Sequence, residues 1–337
     1  MLQKDISDRI WITRYLMVIG IVVLHLPVYQ SLSSVGVNGA FDYFKAFFAH
    51  GVFRATVPVL TVMSGYLLFR SGLDRQYLSL LKSKTNSLLI PLLIWNLPLA
   101  LIVFVLQKYQ LGSHSFSVKL YPIEGLSWLN AVTGLHGTPV NYPLNFLRDL
   151  FAVSLLAPVL GLLLRRSPYV GLALVMLVYF FNLDGPFVIR NSMLVSFYLG
   201  GLAYTQNWDL AALDRYAPVL LALFLASCAM IVLLKIQNRE WFRLISPFLV
   251  WPSMAMLMGT APGRFLLENS RSSFFTFLAH GPILLLLWFV FQKWLSGFPY
   301  MAYWFAAPVL TVYGCILFSG CTKKWFPRIT AFALGGR

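Results

Sequence analysis

Two ionisable side chains sit where a lipid-spanning stretch should hold none. Arg14 and His25 lie in the first long apolar run, residues 10–33. An ionisable group inside a span costs at least about 2.5–3.5 kcal/mol on insertion scales, so each needs a compensating reason. Eleven positions separate them, which leaves them about 20° apart around a helix axis and about 16 Å apart along it. They share one face at different depths, and a substrate touching both has to be long. A guanidinium offers charge and donors to anions, and an imidazole exchanges protons near neutral pH. Taken singly, Arg14 can snorkel to the inner headgroups and His25 can be a hydrogen-bonded core histidine.

Other segments carry comparable groups. His50-Gly51-Val52-Phe53-Arg54 opens a second apolar run that continues through Pro58 to Met63-Ser64-Gly65-Tyr66, with Pro58 and Gly65 permitting bending or close helix approach. Ser64 lacks the setting of a strained nucleophile elbow, so packing is the expectation for it. Arg148 and Asp149 begin another run. Sequence neighbours point apart on a helix, so each is expected to find its partner elsewhere in the bundle, in a structural ion pair or in a site. His280 lies in a late span, where a satisfied core histidine is the simpler reading.

The elements that must position these groups follow from composition. Of 337 residues 59% are hydrophobic and 11% charged, far below the roughly 25% charged of soluble domains. A water-soluble enzyme is excluded. The 26 Lys and Arg against 11 Asp and Glu give a net charge of +15, which on a polar surface would suggest nucleic acid. On this apolar chain it points to a membrane instead, and no nucleic-acid partner is expected. Windows of about 20 apolar residues can be placed at 10–33, 50–70, 87–106, 143–163, 168–183, 188–205, 217–236, 242–260, 273–292 and 300–321. The expected architecture is an all-α integral membrane protein of about ten transmembrane helices in one bundle, a single domain over 1–337. The Lys and Arg distribution favours both termini in the cytoplasm and 107–142 outside. Cys228, Cys315 and Cys321 form no paired motif, so neither a disulfide framework nor a metal site is indicated.

Together these segments resemble the acyltransferase-3 family of membrane O-acyltransferases. The resemblance rests on Arg14 and His25 with ten residues between them, on Phe53 through Pro58 with Ser64-Gly65-Tyr66-Leu67-Leu68, and on Lys82 through Leu89-Ile90-Pro91 with Trp95. Phe146-Leu147-Arg148-Asp149-Leu150 with Pro158, Phe197-Tyr198-Leu199-Gly200 and the helix containing His280 continue the order. Asn145 departs from the tryptophan often found there, and no additional hydrolase-like domain is present. Within the family the chain most resembles bacterial exopolysaccharide succinyl- and acetyltransferases.

The resemblance implies an enzyme of the bacterial inner membrane that moves a succinyl or acetyl group from cytoplasmic acyl-coenzyme A to a sugar hydroxyl on the outer face. The acceptor would be a glycan, free or lipid-linked. Arg14 with Arg70, Arg75, Lys82 and Lys84 would meet the phosphates of succinyl-CoA or acetyl-CoA, and no metal is implied. His25 would act as general base, and Arg54 or Arg148 would stabilise the oxyanion or hold a succinyl carboxylate. The rival from another class is a transporter or flippase for an anionic glycan or lipid, for which inverted repeats or paired broken helices would be expected; neither is visible. The topology is checked by single cysteines at Ser83 and Ser115 in a cysteine-free background, which should differ in labelling by an impermeant maleimide on intact cells. Equal labelling overturns it.

Overall fold

The computed structural model describes residues 4–37, 39–111, 118–185 and 187–336; Gly112-Ser113-His114-Ser115 lies outside them. Every described element is helical. In chain order the helices are α1 (Lys4–Leu24), α2 (Ala40–Ala46), α3 (Thr56–Ser71), α4 (Tyr77–Lys84), α5 (Ile90–Lys108), α6 (Gly125–Thr133), α7 (Asn145–Leu155) and α8 (Ala157–Arg166). They continue with α9 (Pro168–Phe181), α10 (Ser192–Thr205), α11 (Ala217–Leu233), α12 (Glu240–Ser253), α13 (Ala261–Asn269), α14 (Ser273–Trp294), α15 (Tyr300–Trp325) and α16 (Pro327–Ala333).

Five stretches among the described residues are long and apolar enough to cross a bilayer: Ala40–Ser71, Tyr77–Lys108, Asp214–Leu233, Ala261–Trp294 and Tyr300–Trp325. The pair α7 and α8, bent by 55° at Leu156, makes a sixth if taken as one span. Pro158 in the first turn of α8 accounts for the break, since it has no N–H to continue the ladder of α7. The chain is therefore an all-α, multi-pass membrane protein. The remaining sequence windows fall on helices short in length or apolarity. α1 has 21 residues but includes Asp5, Asp8, Arg9 and Arg14, and α9, α10 and α12 have 14 each.

α1 carries charge because it is surrounded by protein. It packs against α3, α13, α14 and α15, and Arg9, Thr13 and Tyr15 are all buried. Arg9 reaches Asp214 in the 3₁₀ turn just before α11, with Nη1 2.8 Å from Oδ1, and lies over the Trp251 ring at 5.2 Å. The outer ring of helices shows the opposite pattern. Leu101, Ile102, Phe180, Leu223, Leu310, Leu317 and Phe318 are all exposed, a surface that only lipid would leave favourably unpartnered.

The tightest contact joins α3 and α10. A Cβ on Gly65 would stand 2.1 Å from the Phe197 carbonyl oxygen, and one on Gly200 would stand 2.0 Å from that of Val62. The two helices thus touch backbone to backbone through reciprocal glycines, the device by which membrane helices gain packing without a hydrophobic drive. α3 then ends at Gly72, whose left-handed φ of 71° reverses the chain. Gly65→Ala and Gly200→Ala should each cost about 1–3 kcal/mol by overpacking, read as a lower thermal midpoint of purified protein. Gly314→Ala in α15, whose methyl would meet nothing within 4 Å, should not lower it. Three equal midpoints would refute this packing role.

Candidate active site

Two cavities lie end to end beside α1, here termed inner and outer for the depths of Arg14 and His25. The inner one, about 410 Å³, is walled by Arg14, Ser64, Ser270, Arg271, Ser273 and Lys323 among apolar side chains. The outer one, about 400 Å³, is walled by His25, Arg54, Tyr142, Asn145, Arg190 and Arg243 among others. Among the described residues neither wall contains a carboxylate. Phe146 of α7 and Phe277 of α14 line both, with ring centroids 5.8 Å apart in an edge-to-face pair. This aromatic septum is what separates the cavities.

At the inner cavity Arg14 stacks 5.1 Å from the Trp11 ring. Lys323 of α15 donates to the Arg271 carbonyl at 3.1 Å, which ties the end of α15 to the turn before α14. The residues fit the phosphates of a nucleotide-bearing polyanion: three cations and three hydroxyls with no acid among them. Arg70, Arg75, Lys82 and Lys84, expected there, are not in this wall. Arg75 and Lys82 are exposed, and Arg70 and Lys84 are half-buried. Arg271 and Lys323 take that position, and nothing in their local sequence marks them, because they are brought in from far along the chain.

The outer cavity owes its shape to irregular backbone. A π-turn over Phe47–Gly51 and a 3₁₀ turn over Val52–Ala55 precede α3, and such irregular turns recur at functional sites. Gly51 lets this segment rest on α11, since a Cβ there would lie 2.7 Å from that of Cys228. Arg54 emerges from it with Nε donating to Ala49 O at 3.0 Å. His50 Nε2–H donates to Gln30 O at 2.7 Å, and its Nδ1 accepts from Arg239 at 3.1 Å. His25 follows the last turn of α1 and faces Tyr142 at 5.8 Å between ring centroids.

α14 supplies the back of the site. Pro282 has no N–H to pair with Leu278 O, and Asn141 Nδ2 donates to that carbonyl at 3.3 Å. Asn141 N–H in turn donates to Asn96 Oδ1 at 2.9 Å. Asn145, 1% exposed, has an Oδ1 without a hydrogen-bond partner, so the outer cavity holds an acceptor awaiting a donor.

The outer cations are short of counter-charge. Burial pushes the Arg190 guanidinium below its usual value, against the pull of Tyr142 and Asp149. Burial and then Arg243 push Arg239 the same way. Arg243 has Glu240 at 2.7 Å. An incoming anion would relieve this imbalance.

Arg148 stands apart. The expectation that neighbours Arg148 and Asp149 would not face each other is corrected: Nη1 of Arg148 lies 2.8 Å from Asp149 Oδ1. The first turn of α7 leaves the long arginine side chain room to fold across. Arg148 also donates to the carbonyls of Gly134 at 3.0 Å, Leu135 at 3.2 Å and Phe187 at 2.7 Å. Asp149 accepts from the backbone of Ile189 at 3.1 Å and Arg190 at 3.0 Å. The pair thus clamps two loops, and His25 and Arg54 share a cavity wall in which Arg148 has no part. Nothing in the local sequence marks Arg190 and Arg243; their convergence on His25 needs the folded loops.

Residues 9–320 match the acyltransferase domain family. The chain is 31% identical to the succinoglycan biosynthesis protein ExoH of Rhizobium meliloti (strain 1021), over 100% of this chain and 94% of that protein. No solved structure matches it.

The septum has a direct test. In a cysteine-free background, Ser64→Cys on the inner wall and Thr138→Cys on the outer wall should react with an impermeant thiol reagent from opposite faces of the membrane. Adding Phe146→Ala and Phe277→Ala should make Ser64→Cys reactive from both. Two-sided labelling with both phenylalanines in place would refute the barrier.

Proposed function

This chain belongs to the acyltransferase-3 family, and we propose that it transfers a succinyl or acetyl group from cytoplasmic acyl-coenzyme A to a sugar hydroxyl of an exopolysaccharide or other cell-surface glycan. That it is a multi-pass membrane acyltransferase follows from the family and the apolar helices. The donor, its direction of transfer, a bacterial inner-membrane location, ten crossings and cytoplasmic termini complete the proposal. The observation that carries it is the pair of acid-free, cation-lined cavities meeting at one aromatic septum, with Arg14 on one side and His25 on the other.

Phosphates of the donor would sit against Arg14, Arg271 and Lys323, with the pantetheine arm directed past Phe146 and Phe277. A glycan hydroxyl, free or lipid-linked, would enter from outside. Its oxygen attacks the thioester carbonyl while His25 takes its proton. The new C–O bond forms, the C–S bond breaks, and the proton passes to the departing thiolate. Arg54 offers charge to the oxygen that becomes negative. The acid-free outer wall suits an acyl group that carries its own carboxylate, which makes succinyl the first donor to test. The R. meliloti relative is named for succinoglycan biosynthesis, and an exopolysaccharide of that kind is the acceptor proposed here. Arg148 serves this site by holding Asp149 and, through it, the backbone at Arg190.

Mass spectrometry of surface polysaccharide from cells with and without the protein tests the reading. An added acyl mass supports it, while displaced but unmodified glycan would favour a transporter. His25→Ala should abolish acylation at normal protein level. Arg14→Ala should weaken acyl-coenzyme A binding about 10- to 100-fold, the size of a lost charge-assisted contact. Arg54→Ala should bind the donor less than about tenfold worse yet turn over slowly. Arg148→Ala should lower the folded yield. Titration calorimetry on purified variants separates these outcomes, and near-normal acylation by His25→Ala would refute the assignment.

A further inference from the structure

His280 does not line either cavity, yet it touches the residue that the transfer depends on. It is 0% exposed in α14. Its Nδ1 lies 2.7 Å from Phe277 O and 3.2 Å from Thr276 O. Carbonyl oxygens only accept, so this nitrogen carries the hydrogen and Nε2 is left as a lone pair. His25 is fixed in the same way, with Nδ1 2.8 Å from Ile21 O. Its Nδ1 therefore also carries the hydrogen, and Nε2 is the bare nitrogen of a ring in the outer wall. The two rings meet with His280 Nε2 3.4 Å from His25 Nδ1 and centroids 5.3 Å apart. A lone pair thus faces an N–H. The network assigns both tautomers without ambiguity, since the reverse choice on either ring would set a lone pair against a carbonyl.

We propose that His280 is a positioning residue whose Nε2 shares the His25 Nδ1–H with Ile21 O, which steadies the His25 ring with Nε2 free to take the acceptor's proton. The inference rests on the acyl-transfer reading above. When His25 gains that proton its Nδ1–H becomes a cationic donor, and the contact to His280 turns into a charge-assisted bond. Contacts of this sort are commonly long in the resting enzyme and tighten as charge develops. The arrangement does the work that a buried carboxylate does in a Ser-His-Asp triad, holding tautomer and orientation, but with a neutral partner. That choice suits a wall already bearing three arginines only as long as His280 itself stays neutral, and its Nδ1–H bonds to two carbonyls keep Nε2 as the acceptor. Its helix is anchored at that depth by Asn141 on the carbonyl freed by Pro282, and Gly281 makes room for it, since a Cβ there would lie 2.5 Å from Asn141 Oδ1.

Purified wild type, His280→Ala, His280→Phe and His280→Gln, assayed with succinyl-CoA and a glycan acceptor, test the proposal. Loss of the acceptor in the Ala and Phe variants should lower kcat about 10- to 100-fold, the size of a lost charge-assisted hydrogen bond. KM for the donor should stay within about twofold, because the contact matters only as His25 becomes charged. Glutamine, whose Oε1 accepts, should restore most of the loss. Undiminished kcat in the Ala variant, or equal loss in Gln and Ala, overturns the proposal. Ring-¹⁵N spectra of histidine-labelled protein decide it independently of turnover. Wild-type His25 should show a protonated Nδ1 and a bare Nε2, and His280→Ala should keep that tautomer, since Ile21 O still accepts, while its Nδ1 resonance shifts; an unshifted Nδ1 overturns the proposal. A wild-type His25 protonated at Nε2 overturns it as well. Failure of the wild type to transfer any acyl group would instead count against the acyl-transfer reading, with the spectra still deciding the tautomer.

Discussion

A guanidinium and an imidazole on one helix cannot be left facing lipid. That cost, several kcal/mol for each group, governs the arrangement of the whole molecule. α1 is enclosed by α3, α13, α14 and α15, and the apolar side chains that lipid tolerates are displaced to the periphery on α5, α9, α11 and α15. Once α1 is enclosed, its polar face must look onto something other than hydrocarbon, and the two cavities are what it looks onto. The close glycine contact between α3 and α10 belongs to the same scheme. It lets α3 stand rigidly beside α1 while its irregular leading segment delivers Arg54 to the outer wall.

Helical periodicity made the Arg14 and His25 pairing legible in the sequence, because both residues lie on one uninterrupted helix turn pattern and their relation is local. Gly65 reads in the sequence as a position of close helix approach, but its partner Gly200 appears only in the fold. What periodicity cannot carry is the meeting of remote segments. Arg271 and Lys323 come from the turn before α14 and the end of α15, and they replace the basic loop as the cations of the inner wall. Arg148 and Asp149 were separated by a rule that describes Cβ directions and ignores how far a guanidinium reaches. Several apolar windows fall on helices shorter or less apolar than a lipid-facing span, since a helix enclosed by others need not be lipid-compatible.

His25 and His280 illustrate how a low-dielectric interior can set chemistry with neutral groups. Main-chain carbonyls of α1 and α14 fix the hydrogen on each ring, so the orientation of the reactive nitrogen is written into two helices by their backbones. A carboxylate in place of His280 would also fix the tautomer, but it would draw the nearby arginines toward itself and away from the cavity.

The Phe146 and Phe277 pair has an electrical consequence. Cavities open to water and ions on either face of the membrane would sustain little of its voltage, and most of that voltage would fall across the septum the two rings form between them, instead of across the roughly 30 Å of hydrocarbon around it. A charge that passes the rings therefore crosses nearly the full potential in one short step, worth about 2.3 kcal/mol per 100 mV. In the proposed orientation, with the cell interior negative, a carboxylate carried outward on an acyl group moves down that gradient. An energised membrane would then pull a succinyl group toward the outer wall and leave an acetyl group indifferent.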